Sequence, residues 1–113
     1  MKTDNKTRIK NMDLLGNILR DSGIPFKREI EVTYRNLFGE EGFLAKNQIK
    51  LDEHQGSKHI FFSAICHIGS YGYQDGTIEV WFGIGNPAAY CTIDEAFKLI
   101  KEYWECIGGT DEI

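Results

Sequence analysis

The sequence lacks the features of a disulfide-bonded, zinc-binding or membrane-spanning protein. It has three cysteines, an odd number, and no two of them stand at C-x-x-C spacing. No apolar run approaches the roughly 20 residues that a helix needs to cross a bilayer. Residues 1–10 are polar and contain no apolar signal core. These absences predict a cytoplasmic protein with free thiols and no membrane contact.

Positive charge is scarce in the second half of the chain. Residues 59–113 contain only Lys98 and Lys101 against eight acidic residues, a balance of −6. A surface this acidic repels phosphate backbones, so a nucleic-acid partner is not expected. Basic residues concentrate instead in residues 1–10, which we interpret as a mobile basic N-terminal tail.

Hydrophobic periodicity in the remaining residues predicts one domain with the order helix, four strands, helix. An amphipathic helix is expected over about residues 11–22. A second helix should begin at the capping box that runs from Thr92 to Glu95 and end before Gly108 and Gly109. We therefore predict an α+β domain over residues 11–109, in which both helices cover one face of a four-stranded antiparallel meander. Residues 110–113 are expected to form a C-terminal tail.

The clearest alternation lies in the third and fourth predicted strands, residues 58–73 and 77–84. Apolar side chains that share the core face of these strands are Ile60, Phe62, Ala64, Cys66, Ile68, Ile78, Val80, Phe82 and Ile84. A three-residue loop over 74–76 keeps these positions on one face, with Gly76 in the left-handed position. This loop pairs Tyr73 with Thr77 and therefore places Trp81 opposite Gly69.

The opposite face of the same two strands collects aromatic residues and predicts a partner-binding surface. The residues expected to form it are Phe61, Ile65, His67, Tyr71, Tyr73 and Trp81. Tyrosine and tryptophan are enriched where an apolar surface meets water and at the centres of interfaces. Because a bare apolar patch of several hundred Å² is uncommon on a monomer, either residues 36–57 fold over this face or a partner covers it.

No residue set predicts catalysis, a cofactor or a metal ion. His59 and His67 lie eight positions apart on one predicted strand, about 26 Å, too far to share one ion. Cys66 and His67 are neighbours that point to opposite faces. Ser70 is not part of a G-x-S-x-G nucleophile turn.

One short segment is similar to an enzyme family. Residues 23–29, with a helix ending into a strand, resemble the opening of small restriction-type nuclease domains. Asp75 and Glu79 are acids on a hairpin, where that resemblance would imply metal ligands, but Trp81 occupies the position of the family's lysine. This resemblance supports a divergent metal-dependent nuclease-like enzyme, which ranks third after the two functional hypotheses of the next paragraph.

The first hypothesis is a non-enzymatic protein-binding module whose partner is another protein or a second copy of the chain, as in a homodimer. Short acidic chains without catalytic residues are typical of inhibitors, adaptors, immunity proteins and phage- or mobile-element-encoded anti-defence factors, by analogy. The second hypothesis is a small-molecule binder with a pocket on the same sheet face.

Overall fold

The computed structural model describes residues 3–33 and 42–107. The protein is an α+β domain with two helices and a five-stranded antiparallel sheet. In chain order the elements are α1 (Asn5–Asp21), β1 (Lys27–Val32), β2 (Leu44–Gln55), β3 (Lys58–Ile65), β4 (Ile78–Trp81), β5 (Ala88–Cys91) and α2 (Ile93–Cys106). The strands lie in sequence order across the sheet, so each pairs with its neighbour in the chain. Within the described ranges, no helix has both the length and the apolar character needed to cross a bilayer.

One hydrophobic core joins both helices to one face of the sheet. Its largest buried residues are Met12, Leu15 and Leu19 from α1, Ile49, Ile60, Phe62, Ile78 and Val80 from the strands, and Ile100 and Trp104 from α2. The residues of β3 and β4 named here are among those that the alternation assigns to the core face, and for them the prediction is confirmed.

Helix α1 begins at Asn5, six positions before the predicted start at residue 11. The Asp4 carboxylate caps it by accepting the Thr7 backbone N–H at 2.8 Å, an N-cap arrangement. Asn5 and Arg8 are buried. Residues 5–10 are therefore part of the folded domain and not part of a mobile tail.

Helix α2 has the capping box that the sequence predicts. The Thr92 hydroxyl accepts the Glu95 backbone N–H at 3.1 Å, and the Glu95 carboxylate accepts the Thr92 backbone N–H at 2.9 Å. Its apolar side packs on the core as expected. The predicted stop at residues 108–109 and the predicted tail at 110–113 lie outside the described residues.

The pairing of β3 with β4 is displaced from the predicted pairing. Trp81 lies opposite Ser63, and Glu79 lies opposite Ile65, whereas the predicted loop placed Trp81 opposite Gly69. The displacement is six residues along β3, from 69 to 63. Because six is an even number, each side chain stays on its predicted face although its partner changes.

Residues 66–77 form successive turns and not the predicted extension of β3. Gly69, Gly72 and Gly76 all have positive φ. Thr77 donates its N–H to the Gly72 carbonyl at 3.1 Å, and a Cβ at Gly72 would come within 2.1 Å of the Thr77 hydroxyl. Only glycine fits at position 72. Its left-handed backbone is incompatible with an extended strand, so β3 ends before this turn.

The sheet has a fifth strand because residues 88–91 turn back along β4. The sequence predicts four strands and treats residues 85–91 as a connection. The segment 82–87 forms the loop between β4 and β5. Ile84 lies in this loop with 84% of its surface exposed, although the sequence assigns it to the core face. Ile68, also predicted to be in the core, is exposed.

Candidate protein-binding surface

The face of the sheet turned away from both helices is not covered by any described element. Residues 42–57, which could have folded over it, instead contribute β2, and β2 lies beside β3 in the sheet. Residues 36–41, the rest of the same predicted cover, lie outside the described ranges. The side chains on this face alternate with the core residues of β3 and β4 and include Phe61, Ser63, Ile65, Glu79 and Trp81.

Phe61 and Trp81 form the first aromatic group on this face. Their ring centroids lie 5.7 Å apart at 81°, an edge-to-face contact. The Trp81 indole donates its N–H to the Gly85 carbonyl at 2.9 Å, which fixes the ring against the β4–β5 loop. Trp81 still exposes 39% of its surface.

A hollow of about 400 Å³ opens beside these rings, and we call it the tryptophan hollow. Its lining residues are Asp52, His59, Phe61, Trp81, Phe82, Gly83, Ile84 and Tyr103. The loop approaches Phe61 closely at Gly83, where a Cβ would lie 3.1 Å from the phenyl ring. Tyr103 stacks on Phe82, and its hydroxyl oxygen accepts the Phe61 backbone N–H at 2.9 Å. The hollow is thus built where β3 extends past the end of β4.

The rim of the tryptophan hollow carries one polar pair. The His59 imidazole lies 2.7 Å from the Asp52 carboxylate, and the His54 ring stacks on His59 at 4.4 Å. The hydrogen bond from His59 lowers the pKa of Asp52 below its usual value. Asp52 and His59 are exposed, and the residues that line the hollow with them include no serine, threonine, cysteine or lysine.

Glu79 connects the tryptophan end of the face to residues 66–77. It lies two positions from Trp81 on β4, and its carboxylate accepts the Tyr71 backbone N–H at 2.8 Å. His67 is half-buried close by. Burial lowers the pKa of His67 below its usual value of 6.5, and the Glu79 carboxylate opposes part of that shift.

Tyr71 and Tyr90 form a second aromatic group, which we call the tyrosine pair. Their ring centroids lie 6.2 Å apart, and they expose 60% and 57% of their surfaces. Tyr90 comes from β5, the edge strand beside β4, and Tyr71 comes from the turns after β3. The pair therefore stands at one corner of the sheet.

Tyr73 does not belong to this surface, which corrects the prediction. It is 8% exposed, and its hydroxyl donates to the Asn5 side chain at 3.2 Å and accepts the Leu44 backbone N–H at 3.3 Å. The Arg8 guanidinium lies over its ring, 3.8 Å from the centroid. The turn at Gly72 sends Tyr73 toward the start of α1, whereas a continuous strand would have kept it beside Tyr71.

Two cysteine thiols are buried, and the candidate metal ligands lie apart. Burial raises the pKa of the Cys66 thiol to about 11 and also raises the pKa of Cys91. Across residues 3–33 and 42–107, no three His, Cys, Asp or Glu side chains are arranged to hold a metal ion. The Glu79 carboxylate, considered above as a nuclease-type ligand, accepts a hydrogen bond from the Tyr71 backbone N–H.

Comparison with models of protein families, with curated proteins and with solved structures finds no match to this chain. Function must therefore be inferred from the chemistry of the surface. Of the six predicted partner-binding residues, Phe61, Ile65 and Trp81 lie on the free face, and Glu79 links this group to His67 and Tyr71.

Sequence reasoning missed two exposed residues of this surface, Ile84 and Tyr90. Gly83 and Gly85 flank Ile84 and have positive φ, so a G-x-G turn signal was present for the loop tip. Tyr90 has no such signal, because its exposure depends on the position of β5, a strand that the alternation does not reveal.

Proposed function

We propose that this chain is a small protein-binding module of the inhibitor or adaptor type, that it has no catalytic role, and that it acts in the cytoplasm. The observation that carries the proposal is the exposure of large apolar side chains on one uncovered sheet face and directly beside it. Trp81 lies on the face, Ile84 lies in the β4–β5 loop, Tyr71 lies in the turns after β3, and Tyr90 lies on the edge strand β5. The partner is another protein or a second copy of the chain.

The physical argument is that such groups gain free energy when they leave water. Burying apolar surface is worth roughly 25 cal/mol per Å², and a folded chain seldom leaves a large contiguous apolar area exposed without a use for it. Tryptophan and tyrosine dominate interface energetics when they occupy the centre of a contact. Trp81 fits that role because Phe61 and the Gly85 carbonyl already fix its ring, so little side-chain entropy remains to be lost on binding.

The test replaces two residues at the tryptophan hollow and measures partner capture from the native host. Trp81→Ala should weaken binding about thirtyfold, the factor for a loss of about 2 kcal/mol. Ile84→Asp should weaken capture at least as much, and it should leave the domain folded because Ile84 is almost fully exposed.

Asn17→Asp is the matched control, because it adds the same single negative charge on α1, on the opposite layer, and keeps an acceptor for Arg20. Light scattering on the same variants distinguishes a homodimer from a heterologous complex. Capture that is equal for the wild type, Trp81→Ala and Ile84→Asp would contradict the proposal.

A small-molecule site is the second candidate, favoured by the volume of the tryptophan hollow. At about 400 Å³ it lies within the range of ligand pockets, and Asp52 and His59 supply polar groups at its rim. Quenching of tryptophan fluorescence by a metabolite panel, together with a monomer in light scattering, would favour this function. A partner protein that protects Trp81 from solvent would favour the first.

A further inference from the structure

The backbone of β5 is irregular at Tyr90. Ile78 pairs with Cys91 and Val80 pairs with Ala88, so β5 carries one more residue than β4 across this interval, a β-bulge. Tyr90 lies in the bulge at φ 58°, the only positive φ outside glycine among the described residues. An aromatic residue rarely adopts this conformation, and bulges of this kind redirect a side chain. Here the redirected side chain is an exposed tyrosine beside Tyr71.

Tyr90 separates two hollows. One, of about 290 Å³, lies over residues 68–75, and the other, of about 460 Å³, lies between β5 and α2. The second hollow is lined by Ala89, Tyr90, Cys91, Glu95, Lys98, Leu99 and Glu102. Because the bulge interrupts the edge of β5, a partner cannot simply add a strand there and must be recognised through side chains.

The charged groups around the tyrosine pair are mainly acidic. Asp75 lines the first hollow, Glu95 and Glu102 line the second, and Glu79 holds the Tyr71 amide. Lys98 is the one cationic side chain among the residues that line either hollow. Among the residues that line the two hollows, three carboxylates against one ammonium group give a charge of −2 beside two exposed aromatic rings.

We propose that the tyrosine pair and its flanking hollows bind an arginine-bearing segment of a partner protein. The planar guanidinium group stacks on tyrosine rings and pairs with carboxylates through two parallel hydrogen bonds, so it suits both features of this surface. Arg8 over Tyr73 shows the same stacking inside the molecule. The inference rests on the proposed function, since it names the chemistry of the partner.

The experiment titrates a fluorescein-labelled peptide of Arg-Gly-Ser repeats into the protein and follows anisotropy at low and physiological salt. Glu102→Lys should weaken binding about tenfold. Tyr71→Ala combined with Tyr90→Gly should weaken it at least as much. A peptide with glutamate in place of arginine should not bind.

Glu31→Lys is the matched control. It changes the net charge by the same amount, but it lies on β1, at the opposite edge of the sheet. The proposal predicts a change below about twofold for this variant, because at physiological salt charges more than about 8 Å apart are largely screened. Equal weakening by Glu31→Lys and Glu102→Lys, or wild-type affinity in the tyrosine double variant, would overturn it. If Trp81→Ala still weakens capture of the native partner in that case, only the arginine inference fails.

Discussion

Two buried regions of this molecule are held together by different chemistry. Beneath α2, apolar side chains of β3 and β4 such as Phe62 and Val80 pack on Ile100 and Trp104, all at least 96% buried. At the start of α1, a polar network centred on Arg8 fixes the turns of residues 66–77, and we call it the Arg8 network. Arg8 itself is only 5% exposed.

In the Arg8 network, the three groups that accept hydrogen bonds from the buried guanidinium are neutral. The guanidinium donates to the Tyr73 carbonyl at 2.6 Å, to the Asn5 side-chain oxygen at 2.6 Å and to the Thr3 carbonyl at 2.9 Å. Asn47 extends the network by donating to the Arg8 and Cys66 carbonyls. Apolar packing tolerates a substitution of similar volume, whereas a polar network requires particular donors at particular positions.

The largest expected effect is in the apolar region. Phe62→Ala removes a fully buried ring from the centre of β3 and should lower the free energy of unfolding by about 3–5 kcal/mol. Urea denaturation followed by circular dichroism measures the loss. Tyr71→Ala, which removes an exposed ring, is the control and should change stability by less than about 0.5 kcal/mol. A Phe62→Ala loss below about 1 kcal/mol would show that the core is not where the alternation places it.

The next effect tests the Arg8 network. Arg8→Ala leaves buried acceptors without a donor and should cost about 2–3 kcal/mol. Arg8→Lys should recover less than half of that, because an ammonium group cannot reproduce the guanidinium fork. Hydrogen exchange provides the regional readout, since the amides of Tyr73 and Thr77 should lose protection before those of β3. Uniform loss of protection across the domain would indicate that the two regions are one cooperative unit.

The fold class, α2 and the faces of β3 and β4 could be predicted because each depends on local patterns. The capping box from Thr92 to Glu95 marks the helix start, and strict alternation assigns Ile60 and Phe62 to the core. The end of β3 could not be predicted by the same means. Its turns depend on contacts with Arg8, which is 65 positions from Tyr73 in sequence.

The candidate surface was predictable to a similar extent. Alternation assigns Phe61 and Trp81 to this face. Both stay on it because the register of β3 and β4 is displaced by an even number of residues. Tyr73 was wrongly included because the predicted third strand continues through Gly69 and Gly72 to residue 73, although isolated glycines in a strand pattern also signal a break. Tyr90 was missed because a positive φ at tyrosine has no sequence signature.

A smaller effect should appear as a difference in pH dependence. Burial lowers the pKa of His67 below 6.5, so the folded protein prefers the neutral imidazole. The unfolded chain then binds more protons, and stability is lost as pH falls from about 6.5 through the folded pKa. His67→Gln removes this dependence, so between about pH 7.5 and about pH 5.5 it should lose less stability than the wild type. Identical losses would show that His67 remains accessible to protons in the folded state.

The smallest effect isolates the backbone at Tyr90, which belongs to neither buried region. Tyr90→Ala and Tyr90→Gly remove the same exposed ring, but alanine keeps the cost of a left-handed conformation and glycine does not. That cost is about 1–2 kcal/mol, and the greater freedom of glycine in the unfolded chain offsets about 0.5–1 kcal/mol of it. Tyr90→Gly should therefore be more stable than Tyr90→Ala by about 0.5–1 kcal/mol, measured by urea denaturation. If Tyr90→Ala is the more stable of the two, the left-handed backbone at residue 90 carries no strain, and the exposed tyrosine needs no functional explanation on that ground.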